Sequence, residues 1–573
     1  MNGTEPRLNK RERYKANLLP IDYYPQLETL NFENLGEGDR FYLQDFGIFN
    51  VDFLEDEFTL RLRVPGGRID AAQLHTLAQI VTGHDLTLIM TARAGLQLHG
   101  LNPDNILEVF TRVNAMGLTT WQSFGDNVRN IVTDVFDGCG ATGEIEAYPL
   151  IMQMQDFILK NPRYVGMLPR RVSVGITGNR TNVTSFYAND LCFLLAEKAG
   201  VYGFNVYMGG KNTEVARDAD IFLTPGEVIP FFEAFVEAFY RHGSRGSRAY
   251  TRLFYLLETV GMEGFKAHIA EGYGKALPPA GTLLLQPGSF EEYDTLKDGT
   301  FSYRYETDFG RVDAEELSAL AAYALAQDAE VRLGIDQNIY LLQLREKNAP
   351  PVSPKPSATV LACAGAGNCP YSFWSIKNEC GAYLPLDRIK THRIQVGFSG
   401  CAKGCGRHRH TDIGLIGLKT NHFGEAEGGA RIFVGAEHST GGRVGWQLFS
   451  LVPFEHLYSV IDLLITLFES SGRTTFEQFA GKVLNRFTPG FVAMWLLLSI
   501  RAGKAEPLPE SAPEARGFDM ECTLMSETFG ALFDVLEPEE GFGEVISVLA
   551  KELWTVGSGD TIYKPPIERT VFR

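Results

Sequence analysis

The sequence repeats itself. GGRIDAAQLHTLAQIV (66–81), followed by LTLIMTARAGLQLHGL (86–101), returns about 240 residues later as FGRVDAEELSALAAYAL (309–325), followed by EVRLGIDQNIYLLQL (330–344). Each copy opens on a glycine turn and carries an aspartate, Asp70 or Asp313, where a helix would start. Apolar residues then recur at three- and four-residue spacing, the pattern of an amphipathic helix, before a β-rich run. Each copy reads as half of an α/β sandwich. Two copies imply a duplicated chain with pseudo-twofold architecture.

Other segments also read as mixed α/β. RRVSVGITG (170–178) and FNVYMGG (204–210) read as strands, and PGEVIPFFEAFVEAFYRHG (225–243) as an amphipathic helix. NAPPVSPKPS (348–357) is a proline-rich linker. Beyond it, ATVLACAGAGNC (358–369) and RIQVGFSGC (393–401) each run from a strand into a glycine turn, and DIGLIGL (412–418) and ARIFVGA (430–436) read as buried strands. From about Glu506 the chain reads as a linker with an appended tail.

At 573 residues the chain is too long for one core, and three or more domain-sized units are expected. A net charge of −17 argues against a general nucleic-acid binder but leaves room for a local basic pocket. The N-terminus has no apolar signal core. The most apolar stretches, VIDLLITLF (460–468) and FVAMWLLLSI (491–500), are too short to span a bilayer and read as buried helices. The expectation is a cytoplasmic protein without membrane contact, whose eight cysteines are thiols or metal ligands. Cys139, Cys192, Cys380 and Cys522 are scattered and read as buried thiols.

The other four are clustered: Cys363-x5-Cys369, then Cys401-x3-Cys405. Two close pairs among glycines suit a cubane iron–sulfur cluster, which takes one thiolate per iron. Backbone amides in such turns can point at the sulfides. Structural zinc favours shorter pairs, and spacing alone leaves zinc and unligated thiols open.

With these segments on the page, the chain resembles the sirohaem-dependent sulfite and nitrite reductases over roughly residues 55–500. The resemblance rests on RLRVPGG (61–67), TARAGLQLHG (91–100), GDNVRN (125–130), LPRR (168–171), GFNVYMGG (203–210), RGSRAYTRLFYLLETVG (245–261) and the block SGCAKGCG…DIGLIG (399–417). It implies an α+β/α/β fold: duplicated ferredoxin-like half-domains plus two mixed α/β domains that bind sirohaem and cluster. The expected division is an N-terminal extension (1–55), first half-domain (56–160), first sirohaem-binding domain (161–300), second half-domain (301–347), sirohaem and cluster domain (358–505), and a C-terminal extension (506–573).

The resemblance further implies a [4Fe–4S] cluster on Cys363, Cys369, Cys401 and Cys405, with Cys405 bridging to the sirohaem iron. It places Arg93, Arg129, Arg171 and Ser173 at the substrate, and Arg245, Arg248 and Arg252 near the sirohaem carboxylates. Arginine suits both tasks, because its planar fork meets oxyanions and carboxylates with two hydrogen bonds. His99, His408 and His410 read as satisfied polar residues, and Lys403 as a supporting or surface charge.

The implied reaction is a six-electron reduction of nitrite to ammonium or of sulfite to sulfide. Family members commonly carry lysine where this chain has Arg171, and lysine or asparagine where it has Ser173. A neutral residue at 173 leans toward nitrite, since sulfite can be a dianion and suffers more from a lost cation. The alternatives are a tetrapyrrole-modifying relative, as in precorrin chemistry, and a non-catalytic redox sensor. GGK (209–211) is not a dinucleotide fingerprint, so electrons are expected from another protein, such as ferredoxin or a flavoprotein subunit.

Overall fold

The computed structural model describes residues 8–555 apart from 184, 290, 356, 358, 421–426, 510–516 and 540. It divides into two units, Met1–Pro356 with Ser439–Gly441, and Ser357–His438 with Gly442–Arg573.

The first unit begins ahead of the repeat. Helix α1 (Lys10–Asn17) is capped by Asn9, whose side chain accepts from the amides of Arg11 and Glu12. Strand Ile48–Val51 pairs antiparallel with Leu54–Leu62, so part of the 1–55 segment edges the first sheet. The first repeat then supplies α2 (Ala71–Gly83) and strands Thr87–Met90 and Leu96–Leu101. Asp70 caps α2, accepting from the Gln73 amide at 2.6 Å while Gln73 Oε1 accepts from the Asp70 amide at 3.2 Å.

Between the repeats lies a mixed sheet. Strand Val174–Thr177 runs parallel to Leu191–Lys198, which continues antiparallel through Val201–Met208 to Arg217–Leu223. Helix α3 (Val228–His242) packs Phe231, Phe232, Phe235 and Phe239 into the core beneath it, as helical spacing requires. Helix α4 (Leu253–Tyr273) is interrupted at Gly261, whose φ of 75° and ψ of 167° lie outside the helical region.

The second repeat builds α5 (Ala314–Gln327) with the same cap: the Glu316 amide donates to Asp313, and the Asp313 amide to Glu316. Strands Glu330–Leu333, Ile339–Leu344 and Phe301–Tyr305 form its sheet. The two repeats exchange strands. Arg311–Val312 of the second pairs with Thr87–Met90 of the first. Arg68–Ile69 of the first pairs with Glu330–Leu333 of the second. This reciprocal exchange makes the half-domains pseudo-twofold partners in one α+β core.

The second unit repeats the mixed sheet. Val360–Ala362, Val396–Ser399 and Ile413–Thr420 are parallel, followed antiparallel by Glu427–Val434 and Trp446–Pro453. The connections 178–190 and 400–412 join equivalent parallel strands and are equal in length. Helices α6 (Phe454–Ser470) and α7 (Pro489–Ala502) are buried, as their apolar runs imply. Among the described residues, no single helix is long and apolar enough to cross a membrane.

The described part of the C-terminal segment is helical. Helices α8 (Phe518–Phe529) and α9 (Gly543–Thr555) pack on α7. Phe529 packs edge-on against Trp495 at 5.0 Å, and Trp554 against Phe449 at 5.6 Å.

Gly67 sits where the repeats cross, at φ 72°, and a Cβ there would lie 2.2 Å from the Leu333 carbonyl oxygen. Gly67→Ala should destabilise the protein by about 2–4 kcal/mol in denaturant unfolding. Gly83→Ala, with nothing within 4 Å of the new Cβ, should be neutral or gain about 0.5 kcal/mol.

Candidate active site: a cysteine cradle and a cationic basin

The cradle belongs to the second unit. Cys363 follows strand Val360–Ala362, and its amide donates to Phe398 O at 2.9 Å. The Gly400 amide donates to Cys363 Sγ at 3.1 Å. Glycine is required at 400, because a Cβ there would lie 2.0 Å from Ser372 Oγ.

Burial, then the neighbouring Cys405 thiol, pushes the Cys363 thiol up to about 12. Burial, with Cys405 and Cys401 close by, also raises Cys369. Thiols that mutually resist ionisation are costly to gather unless cations at their centre take up the charge. A tetrahedral zinc would hold its sulfurs about 3.8 Å apart. Among the described residues, the three-ligand set within 4.8 Å is His242, His268 and Glu271, and none of the cysteines joins such a set. Four cysteines in two close pairs suit a multi-iron cluster, which takes one thiolate per iron.

All eight cysteines are free thiols, and of the cradle four Cys405 alone is exposed. Lys377, buried behind the cradle, donates to Ala362 O at 2.9 Å. Lys403 is exposed and lies over the Tyr371 ring. His408 Nδ1 hydrogen-bonds Ser399 Oγ at 3.0 Å and, through burial and then Arg409, is pushed down to about 3. It is therefore a neutral polar residue of the fold. In the first unit, His99 Nδ1 similarly meets Thr59 Oγ1 at 3.2 Å.

The basin belongs to the first unit. Arg93 lies in the turn between strands Thr87–Met90 and Leu96–Leu101, and the Asn130 side chain donates to its carbonyl at 2.9 Å. That bond ties TARAGLQ to GDNVRN. Arg129 is 8% exposed and donates to Gly125 O at 3.0 Å and to Ser123 O. Its buried Nε has no hydrogen-bond partner. Arg63 is fully buried and scaffolds this loop, donating to Val128 O at 2.7 Å and Arg129 O at 3.2 Å.

Three buried carboxylates, Asp126, Asp190 and Glu12, hold the other cations. Asp126 accepts from both terminal nitrogens of Arg248 and from Lys15 Nζ at 3.0 Å. Burial alone would raise its carboxyl, but Lys15 and Arg248 overcome that and hold it well below the usual carboxylate range. Asp190 accepts from Arg252 Nη2 through both oxygens, at 2.7 and 2.8 Å. Arg245 donates to Glu12 at 2.7 Å, as well as to the carbonyls of Met167 and Tyr240.

Ser173 is also held by Asp190, with its amide donating at 2.8 Å and its hydroxyl at 2.7 Å. The second unit has the same joint at Gln395, whose amide donates to Asp412 at 2.8 Å. The geometry makes Ser173 a strand-start clamp whose hydroxyl is already occupied.

Arg129, Arg170 and Arg171 pair with no carboxylate among the described residues. Burial, then Arg252, Arg93 and Arg170, pushes Arg171 down to about 9. Burial, then Arg248, pushes Arg170 down to about 10. Arg129 is lowered further by burial and then by Arg61, Arg171 and Arg93. Guanidiniums crowded together out of water are strained electrostatically, and a bound polyanion relieves that strain. The carboxylate-rich sirohaem fits this chemistry. Sequence reasoning passed over Lys15 and Asp190, which carry no motif of their own, Asp126, which lies inside GDNVRN, and Arg61 and Arg63, which lie inside RLRVPGG.

Two family models match the chain twice each. The nitrite and sulphite reductase 4Fe-4S domain matches residues 124–277 and 391–479. The nitrite/sulfite reductase ferredoxin-like half domain matches residues 54–116 and 294–357. Cys401 and Cys405 lie within the matched ranges and Cys363 and Cys369 outside them. The chain is similar to a ferredoxin–nitrite reductase of Synechococcus elongatus, 30% identical and covering 82% of this chain and 99% of that protein. It is also similar to a chloroplastic ferredoxin–nitrite reductase of Spinacia oleracea, 27% identical over 72% of this chain and 75% of that protein. The fold resembles the solved structure of the Mycobacterium tuberculosis NirA protein, with TM-score 0.75, 22% identity, and coverage of 85% of this chain and 97% of that one.

Asp126→Asn should cost about 3 kcal/mol at pH 7, because it leaves Lys15 and Arg248 buried without their carboxylate. The Asp126 carboxyl is depressed in the fold, so its stabilisation is present above the ordinary carboxylate range and fades as pH falls through and below it. Urea titrations at pH 7 and pH 4 should therefore show a smaller gap between variant and parent at the lower pH.

Proposed function

Because the chain belongs to the nitrite and sulphite reductase family, we propose that it reduces nitrite to ammonium with electrons from ferredoxin. The chain is an oxidoreductase of the nitrite/sulfite reductase type, with a [4Fe–4S] cluster coupled to sirohaem. The reaction takes six electrons and eight protons, and releases ammonium and two waters.

The observation that carries the reading is the set of guanidiniums at Arg129, which is buried, and at Arg170 and Arg171, which are half-buried, without carboxylate partners among the described residues. Arg93, Arg129 and Arg171 bind the substrate anion through paired N–H groups and hold it as charge builds on its oxygens. An arriving anion also raises the depressed guanidiniums back toward their ordinary values, which strengthens its binding. Arg248 and Arg252, fixed by Asp126 and Asp190, meet sirohaem carboxylates with their remaining N–H groups, and Arg245 supports the same segment. Bound together, cluster and sirohaem supply electrons singly to a substrate that stays in place. Cys363, Cys369, Cys401 and Cys405 would hold the cluster, and Cys405, the exposed thiol, would link it to the sirohaem.

Nitrite is favoured over sulfite on two grounds. The most similar relatives described above are ferredoxin–nitrite reductases by name. Position 173 also offers the substrate no cation, since the Ser173 hydroxyl donates to Asp190. A dianion loses more from that missing charge than a monoanion does.

Steady-state assays with one artificial donor, reduced methyl viologen, compare the two substrates directly. A higher kcat/KM for nitrite is expected, and a higher value for sulfite overturns the assignment. Arg93→Ala should lower kcat/KM for nitrite about 10- to 100-fold, the scale of one charge-assisted hydrogen bond, with both cofactors retained. Cys405→Ser should abolish the coupled cluster–sirohaem spectrum, and a surviving spectrum would mean that the bridge lies elsewhere.

A further inference from the structure

Helix α3 ends on His242. Beyond the break at Gly261, α4 places His268 and Glu271 beside it. The two imidazole rings lie 3.7 Å apart and nearly parallel, at 8°. His268 Nδ1 is 3.9 Å from Glu271 Oε1. That nitrogen is buried and has no hydrogen-bond partner. One ligand atom from each of the three residues falls within 4.8 Å of the others, an arrangement found nowhere else among the described residues. None of the three touches the cysteines or the arginines assigned above.

Two imidazoles and a carboxylate form the donor set of borderline divalent ions, with zinc the commonest. The imidazoles bind as neutral bases. Parallel rings do not aim their in-plane lone pairs at one point, so one ring must turn. The χ2 torsion of histidine is soft, and His242 is exposed and free to make that turn. Glu271, also exposed, can swing onto an ion from its own helix.

We propose that His242, His268 and Glu271 bind a divalent transition-metal ion of the zinc class, in an open three-ligand site that fastens the end of α3 to the far half of α4. Its position gives the ion a role. The segment between the two histidines carries Arg245, Arg248 and Arg252, the three arginines anchored on Glu12, Asp126 and Asp190. Fastening both ends of this segment closes a loop of about 25 residues and stiffens the stretch that carries them. The ion has no part in electron transfer.

The test uses cofactor-loaded protein, washed with chelator and titrated with Zn²⁺ alone by calorimetry, beside His242→Gln and Glu271→Gln. Metal analysis after gel filtration counts zinc separately from iron. The parent should take up one zinc per chain more than His242→Gln, with micromolar affinity, and its thermal midpoint should rise. Glu271→Gln should weaken binding at least tenfold. Both variants should keep parental viologen-driven activity in chelator, which shows that the fold is intact. Equal zinc uptake by parent and His242→Gln, or no binding below 100 µM, overturns the proposal. Loss of nitrite activity in the parent would bear on the reaction assignment and not on this site.

Discussion

Asp126 and Asp190 are buried carboxylates, and the cationic half of the protein is arranged around them. Neither could remain charged at that depth without partners, and each has an arginine gripped through two hydrogen bonds. Arg248 and Arg252 thereby acquire fixed orientations, and Lys15 is drawn in from a helix at the far end of the sequence. Glu12, also buried, holds Arg245 and shares Lys15 with Asp126. Arg129, Arg170 and Arg171 pair with no carboxylate among the described residues, and they are the cations we assign to an anionic ligand.

Duplication explains much of the rest. The two mixed sheets share strand order, and the connections 178–190 and 400–412 occupy the same place in each. Both end in an aspartate, Asp190 or Asp412, that clamps the start of the preceding strand through a backbone amide. What differs is the content of the loop. In the second unit it carries Cys401 and Cys405, which we assign to the cluster. In the first it leads to Asp190, whose free lone pairs orient Arg252.

The repeat, its capping boxes and the cysteine pairs were legible because each is written in a few adjacent residues. The strand exchange was not, because Arg68–Ile69 and Arg311–Val312 are two residues long and a period cannot be read from two positions. Lys15 is one lysine in a polar N-terminus, and nothing nearby in sequence marks it as buried. The family resemblance places Ser173 at the substrate, and its hydrogen bond to Asp190 was not legible, because the two residues are far apart in sequence. The C-terminal segment was read as a linker and tail, but the apolar spacing in EVISVLAKELW (544–554) is that of the helix that packs on α7.

The exchanged strands also bear on how the protein is made. Ile69 pairs with Val331, about 260 residues further along. As the chain emerges from the ribosome, the sheet of the first half-domain stays one strand short until Arg311–Val312 has been synthesised. Contacts this distant in sequence form late and slow the search for the native state.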